Sequence, residues 1–283
     1  MRRAHAAPRR ASPATVLPFL PSITSRRHPL VHACRDARAG GPDQPLLLDG
    51  WHLLVDAVGA GLAVDAVALT GDPPGPAERQ ALEALLDAGA QVVEATDDVL
   101  QAMSPVRTAS GVVALARRPQ RSVEDVFQPA PGLVVVAVDV QDPGNVGALI
   151  RTAEAAGASG LVACGGSADP LGWKALRASM GSTFRLPVVR HPDAEAFVQD
   201  ARSRGFRSVV LVPRDGQAPG HVDLTGNVCL VVGGEGPGVH PRMVAAADAV
   251  VTLPMRAPVE SLNVAVAGAL VLYAAAAQRR PQA

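Results

Sequence analysis

The sequence predicts an α/β protein built as two units, and three observations carry that reading. Short apolar runs alternate with helical stretches along most of the 283 residues. The run Leu133–Val138 is continuously apolar and mostly β-branched, as in a strand buried on both faces of a parallel sheet. Residues 117–132 hold three prolines and no apolar periodicity, which marks a connection between the halves. The length suffices for two packed domains, and 48% hydrophobic content argues that both fold.

In the front half, residues 46–48, 64–69, 91–93 and 112–116 are strand-like, and 51–58, 77–88 and 97–103 are helical. Asp97 is a candidate cap, and the segment GDPPGP at 71–76 is a loop. In the back half, 133–138 ends in the turn-rich DVQDPG before a helix over 146–156. Strands follow at 161–163, 186–189, 208–212, 228–232 and 249–253, with helices at 194–203, 241–246 and 262–278. Alternation of this kind gives a mostly parallel sheet covered on both faces. Ligands of such sheets sit beyond the carboxyl ends of the strands.

Composition bounds the function. The longest apolar stretch, 264–277, is 14 residues, short of the roughly 20 that cross a bilayer, so it reads as a buried helix and no membrane role is expected. Cys34, Cys164 and Cys229 form no disulfide framework and no metal-ligand spacing; buried, inert thiols in a reducing cytoplasm and no metal are the expectation. Net charge is zero, but residues 1–38 carry eight arginines against one acid, Asp36. Such an arm is either a phosphate-binding extension or a solvated tail. Residues 1–20 have the Arg- and Ala-rich, acid-free composition of a transit peptide, yet Pro8, Pro13, Pro18 and Pro21 would interrupt an amphipathic helix. They are read as a disordered basic extension outside the fold.

Three separated segments put small polar groups, glycines and one arginine between apolar runs: NVGALIRTA from Asn145, GGEGPG from Gly233, and SLNVAVAG from Ser261. Each alone is weak, because glycine turns and single Asn or Ser residues are common in loops. Together they fall at the predicted carboxyl ends of strands and suggest a catalytic pocket. GGEGPG read as a dinucleotide-binding loop lacks the G-x-G-x-x-G spacing after a first strand.

With their neighbours, the segments DPGNVGALIRTAEAAGASGL, VVGGEGPGV and LPMRAPVESLNVAVAGALVLY resemble the three signature motifs of the SpoU/TrmH family of RNA ribose 2′-O-methyltransferases, with RASMGSTFRLPV between them. The front segments ITSRRHPLVHACRDAR, LLLDGWHLLVDAVGAG and MSPVRTASGVVALARRP are similar to the L30e-like substrate-binding domain of many members, with His32 and Asp49 in place of the usual lysine and glutamate. The resemblance implies an L30e-like domain over 21–117, a linker over 118–132 and a trefoil-knotted methyltransferase domain over 133–283. It also implies S-adenosylmethionine as methyl donor and a homodimer with each active site near the subunit interface.

By the same resemblance, the catalytic set is Asn145, Arg151, Glu235, Ser261 and Asn263, and the cofactor is held at Val232, Gly233, Gly238, Leu253, Met255 and Leu262. Arg151 either activates the ribose hydroxyl, as the resemblance implies, or holds the target phosphate and steadies an alkoxide with its fixed charge. The plain alternative is a surface arginine paired with Glu154. Glu235 orients substrate or neighbouring motif groups, or simply turns the chain; Ser261 has a second role open to it as an N-cap. Arg26, Arg27, Lys174 and Arg177 are the RNA-binding candidates, with Arg185 and Arg190 adding basic charge between the motifs. Aromatics are 3% of the chain, which leaves Trp51, Trp173 and Phe184 for base stacking, with Trp51 and Phe184 read as core residues. Ribosomal RNA is the expected substrate by analogy with members carrying the same front domain. Transfer RNA and a catalytically silent RNA-binding or assembly factor are the alternatives.

Overall fold

The computed structural model describes residues 19–236 and 238–280. Apart from Phe19 and Leu20, the basic extension expected over 1–20 lies outside them.

The front unit runs β1 (Ser22–Ile23), α1 (Pro29–Ala39), β2 (Leu46–Asp49), α2 (Trp51–Gly59), β3 (Val64–Leu69), α3 (Pro76–Asp87), β4 (Gln91–Ala95), α4 (Asp97–Met103) and β5 (Val112–Ala116). Its sheet has the order β1-β4-β3-β5-β2, with β2 and β3 antiparallel to β5. Side chains alternate across it as the strand period requires. Leu46 and Leu48 pack with Leu54 and Leu82 on one face, and Leu47 packs with Val31, Val93 and Leu100 on the other.

A connection then carries a 3₁₀ turn, Val123–Phe127, into the back unit. There follow β6 (Leu133–Val138), α5 (Pro143–Ala155), β7 (Gly160–Cys164), α6 (Trp173–Ser179), α7 (Ser182–Arg185), β8 (Val188–His191), α8 (Ala194–Ser203), β9 (Arg207–Leu211), β10 (Val228–Gly233), α9 (Pro241–Ala245), β11 (Ala249–Val251) and α10 (Val264–Arg279). The six strands are all parallel, in the order β11-β9-β10-β6-β7-β8. Leu133, Val135 and Ala137 face α5 and α10, whereas Val134, Val136 and Val138 face α8 and the 3₁₀ turn. Burial on both faces is why this strand is apolar throughout.

The expected α/β architecture is present, with local corrections. Helix α1 was not anticipated; it starts on Pro29, with His28 accepting the Leu30 amide at 3.2 Å, inside a stretch dominated by its arginines. Thr96, not Asp97, is the residue at the α4 N-cap. The last helix begins at Val264, because Asn263 caps it; Ser261 does not. In the connection read as polar linker, Val126 and Phe127 are buried against Phe197 and Phe206 of the back unit.

The units are joined through α6 and α7. Leu176 and Phe184 are buried in the front unit's core with Leu46 and Leu54. Arg118 bridges to Asp169 at 3.0 Å, Arg177 to the buried Asp49 at 3.5 Å, and Arg185 to Asp56 at 3.3 Å. Helix α6 also lies hard against α5: a Cβ on Gly147 would come within 2.5 Å of the Ala175 carbonyl oxygen, so this crossing admits only glycine.

Candidate active site

Strands β6 and β10 run side by side with Gly233 opposite Val138, so the loops leaving their carboxyl ends emerge together. The loop after β6 enters α5 through Asp142, whose carboxylate accepts the Asn145 amide at 2.8 Å. Pro143, at the start of α5, has no amide to satisfy. The loop after β10 passes so close that a Cβ on Gly234 would lie 1.9 Å from the Asp139 carbonyl oxygen. That approach delivers Glu235 to Asn145, whose Nδ2 donates to Glu235 Oε1 at 2.6 Å.

The third segment arrives with α10. Asn263 caps this helix, its Oδ1 accepting the amides of Ala265 and Val266 at 2.9 and 3.2 Å. Because its oxygen is committed to the helix, its Nδ2 faces outward and donates to Asn145 Oδ1 at 3.0 Å. Asn145 is left one orientation, with its own Nδ2 toward the carboxylate. A helix cap thus sets an amide on a second helix and, through it, a carboxylate on a third segment. Asn145 is half-buried and Glu235 and Asn263 are exposed, so a ligand can reach all three.

Arg151 and Ser261 stand apart from this relay. Arg151 is exposed on α5, six residues beyond Asn145; at about 100° per residue the two point to different faces. Among the described residues it makes no hydrogen bond or ion pair. Glu154 does not hold it, because Arg185 occupies that carboxylate with bonds of 2.6 and 3.0 Å. Ser261 is exposed just before the Asn263 cap.

The expected cofactor positions lie at the same edge of the sheet. Val232 and Gly233 end β10, Gly238 follows in its loop with φ of 65°, Leu253 and Met255 follow β11, and Leu262 precedes the cap. A Cβ on Gly233 would meet the backbone of Gly238 and Val239 at 2.4 and 2.5 Å, so this loop folds back on itself. Three main-chain segments gather at this edge, and their backbone donors and acceptors are of the kind that could hold an adenosyl group.

Of the RNA-binding candidates, Arg26 is paired with Asp98, Arg27 is exposed, Lys174 lies 5.5 Å over the Trp173 ring, and Arg177 is drawn to Asp49. Phe184 is a core residue; Trp51 is half-buried against the same cluster. The three cysteines are buried, and desolvation pushes each thiol up to about 12, so they remain protonated and unreactive. Asp142 and Asp139 were not singled out. Asp139 adopts a positive φ of 53°, and its carboxylate accepts the Gly166 amide at 2.7 Å. The Asp-Pro dipeptide before a helical run was the available signal for Asp142. Among the described residues no group of three or more His, Cys, Asp or Glu could hold a metal ion, and no helix is long and apolar enough to cross a membrane.

Comparison with known proteins covers the same region. The sequence profile of the SpoU rRNA Methylase family matches residues 132–273. The chain is 30% identical over 228 residues to the 23S rRNA (guanosine(2553)-2′-O)-methyltransferase RlmP of Bacillus subtilis, covering 80% of this chain and 86% of that one. It is 32% identical over 194 residues to the 23S rRNA (uridine(2479)-2′-O)-methyltransferase of Streptomyces viridochromogenes, covering 67% and 68%. Among solved structures, the SpoU methyltransferase AviRb of S. viridochromogenes with AdoMet superposes with a TM-score of 0.77 at 26% identity, over 89% of this chain and 98% of that one. The AdoMet-bound rRNA methyltransferase of Sinorhizobium meliloti gives 0.80 at 26% identity, over 90% and 96%.

Proposed function

Since the chain belongs to the SpoU rRNA methylase family, we propose that it transfers a methyl group to a ribose 2′-hydroxyl of 23S ribosomal RNA, with the Asn263–Asn145–Glu235 relay at the centre of its site. The protein is an S-adenosylmethionine-dependent methyltransferase of this family. The relay is the observation that carries the site: three separated segments of the matched region converge at one edge of the parallel sheet with every amide orientation determined.

Bound S-adenosylmethionine supplies an electrophilic methyl; Gly233, Leu253 and Leu262 hold it by their main chain, with Val232, Gly238 and Met255 around it. The ribose hydroxyl is a weak nucleophile and needs alignment and stabilisation of developing negative charge. Arg151 provides the second with the positive charge of its exposed guanidinium. Glu235, held by Asn145, aligns the ribose, and Ser261 lines the approach beside the Asn263 cap.

A second copy of the chain completes the assembly. Val266, Leu270 and Tyr273 form an exposed stripe along α10, which Leu262 extends ahead of the cap, each 39–52% exposed. The stripe starts beside Asn263, so a copy seated on it abuts the relay. The front unit, an L30e-like domain over 21–117, gathers the RNA, and the cytoplasm is the setting. The trefoil knot of the domain over 133–283 belongs to the same reading.

The test is transfer of labelled methyl from S-adenosylmethionine to separated rRNA and tRNA, comparing wild type with Arg151→Ala. Signal in rRNA that disappears in the variant is expected. Signal confined to tRNA, or none in any RNA despite cofactor binding, overturns the reading.

A further inference from the structure

A cavity of about 430 Å³ lies between the two units, outside the relay. Its front wall is the carboxyl end of α1, with Arg38, and the segment around Arg118; its back wall is the loop from Ala168 to Lys174, with Pro143 and Arg190. Four cations line it and one carboxylate, Asp169, which is already bonded to Arg118 at 3.0 Å. Arg118 also donates to the Gln44 carbonyl at 2.9 Å, so it staples the floor and is not available to a ligand. Among the described residues Arg38 and Lys174 have no carboxylate partner, and Arg190 donates only to the Ser167 carbonyl, at 3.4 Å.

Trp173 forms one side of this cavity with part of its ring accessible. Lys174 Nζ sits 5.5 Å from the indole centroid, and the half-buried ring also packs against the front unit's core. A part-accessible aromatic ring and three cations without a carboxylate partner suit a nucleotide, with the base against the indole and Nζ turned to the phosphate. The cavity wall is close in the chain to the relay. Ala168, on its wall, donates its amide to the Val140 carbonyl at 2.9 Å, and Pro143 is two residues before Asn145.

We propose that this interdomain cavity is a subsite for one unpaired nucleotide flanking the methylated ribose, stacking its base on Trp173 and placing phosphates on Arg38, Lys174 and Arg190. The inference deepens the methyltransferase reading and rests on it. It gives the target RNA a single-stranded segment that must enter between the units.

The test uses the full chain and a ten-nucleotide oligouridine, with binding followed by anisotropy across a salt series and by tryptophan fluorescence. The triple variant Arg38→Ala/Lys174→Ala/Arg190→Ala is expected to flatten the logarithmic salt dependence by about 2, at about 0.7 per phosphate contact. Trp173→Phe is expected to remove most of the fluorescence quenching while retaining fold and S-adenosylmethionine affinity. With rRNA as substrate, the triple variant is expected to raise KM at least tenfold and to leave cofactor affinity unchanged. An unaltered salt slope, quenching that survives Trp173→Phe, or equal affinity for an RNA duplex would overturn the subsite. The two readings fail separately: rRNA methylation with KM unmoved by the triple variant sinks the cavity alone. Trp173-dependent oligouridine binding with no methyl transfer to any RNA sinks the activity and upholds the cavity as a nucleotide site.

Discussion

Replacing Asn263 by aspartate separates the two tasks that this residue performs. Aspartate caps helices as well as asparagine does, so its oxygen still accepts the Ala265 and Val266 amides, and its charge suits the helix N-terminus by about 0.3–1 kcal/mol. What it lacks is the donor that reaches Asn145 Oδ1 at 3.0 Å. If Asn145 stays as it is, two acceptors face each other there. If its amide turns over, its oxygen instead faces Glu235 across a contact of 2.6 Å. Either way one link fails, and the link at risk is a hydrogen bond to a carboxylate, worth about 1.5–3 kcal/mol. Expressed in the transition state, that is a fall of about 10- to 150-fold in kcat. Stability changes by under about 1 kcal/mol, because the cap survives. Asn263→Ala loses cap and relay together and costs about 1 kcal/mol of stability as well. Single-turnover methyl transfer at saturating cofactor, with thermal melts of each protein, reads both quantities. Full activity in Asn263→Asp beside a damaged Asn263→Ala would show that only the cap matters, and the relay argument would be wrong.

Three further outcomes follow from the same geometry. Leu270→Glu places a charge in the middle of the exposed α10 stripe; light scattering is expected to show a monomer that has lost methyl transfer yet keeps its circular-dichroism spectrum, since Leu270 is half-exposed in the single chain, while its melting point falls by the stability that association gave wild type. Glu154 is held below the usual carboxylate range, chiefly by the hydrogen bond from Arg185. Its contribution is therefore complete above about pH 4.5 and is lost as pH falls through the depressed folded value; for a partly exposed pair it is about 1 kcal/mol or less. Urea melts are expected to separate Glu154→Gln from wild type at neutral pH and to converge as pH falls through the depressed folded value, whereas a gap that widens in acid contradicts the assignment. Arg279→Met strips the end of α10 of donors to the carbonyls of Leu224, Thr225, Gly226, Pro131 and Gly132. Equilibrium unfolding is expected to show a loss of about 2–3 kcal/mol, with the relay and cofactor affinity intact.

Legibility in the sequence followed the physics of burial. The strands of the back unit are apolar without interruption because helices cover both faces, so β6, β7 and β10 could be placed to within a residue or two. Helices that carry an apolar stripe, α2 and α8 among them, were equally plain. Helix α1 is masked in the sequence because Arg35 and Arg38 dilute its apolar stripe, although Pro29 after His28 is a valid start. Val126 and Phe127 were lost in a polar, proline-bearing stretch, since two apolar residues establish no period; only their fit against Gly160 and Phe197 reveals them. Charge is worse still as a guide. Arg26 and Arg177 look like free phosphate binders, and the fold gives each a carboxylate from residues 98 and 49.

The site shows where such reading stops. Three polar islands are visible along the chain, and their placement at strand ends follows from the α/β alternation. Their mutual orientation is another matter, because an asparagine amide has two ends and sequence does not say which faces what. That choice is made by α10. Its first free amides demand an oxygen, Asn263 supplies it, and the amide nitrogen left over dictates the orientation of Asn145 and then the contact with Glu235. The polarity of the site is therefore inherited from a helix N-terminus packed against the sheet. A change that shifts the start of α10 by one residue should disorder Glu235 without touching it.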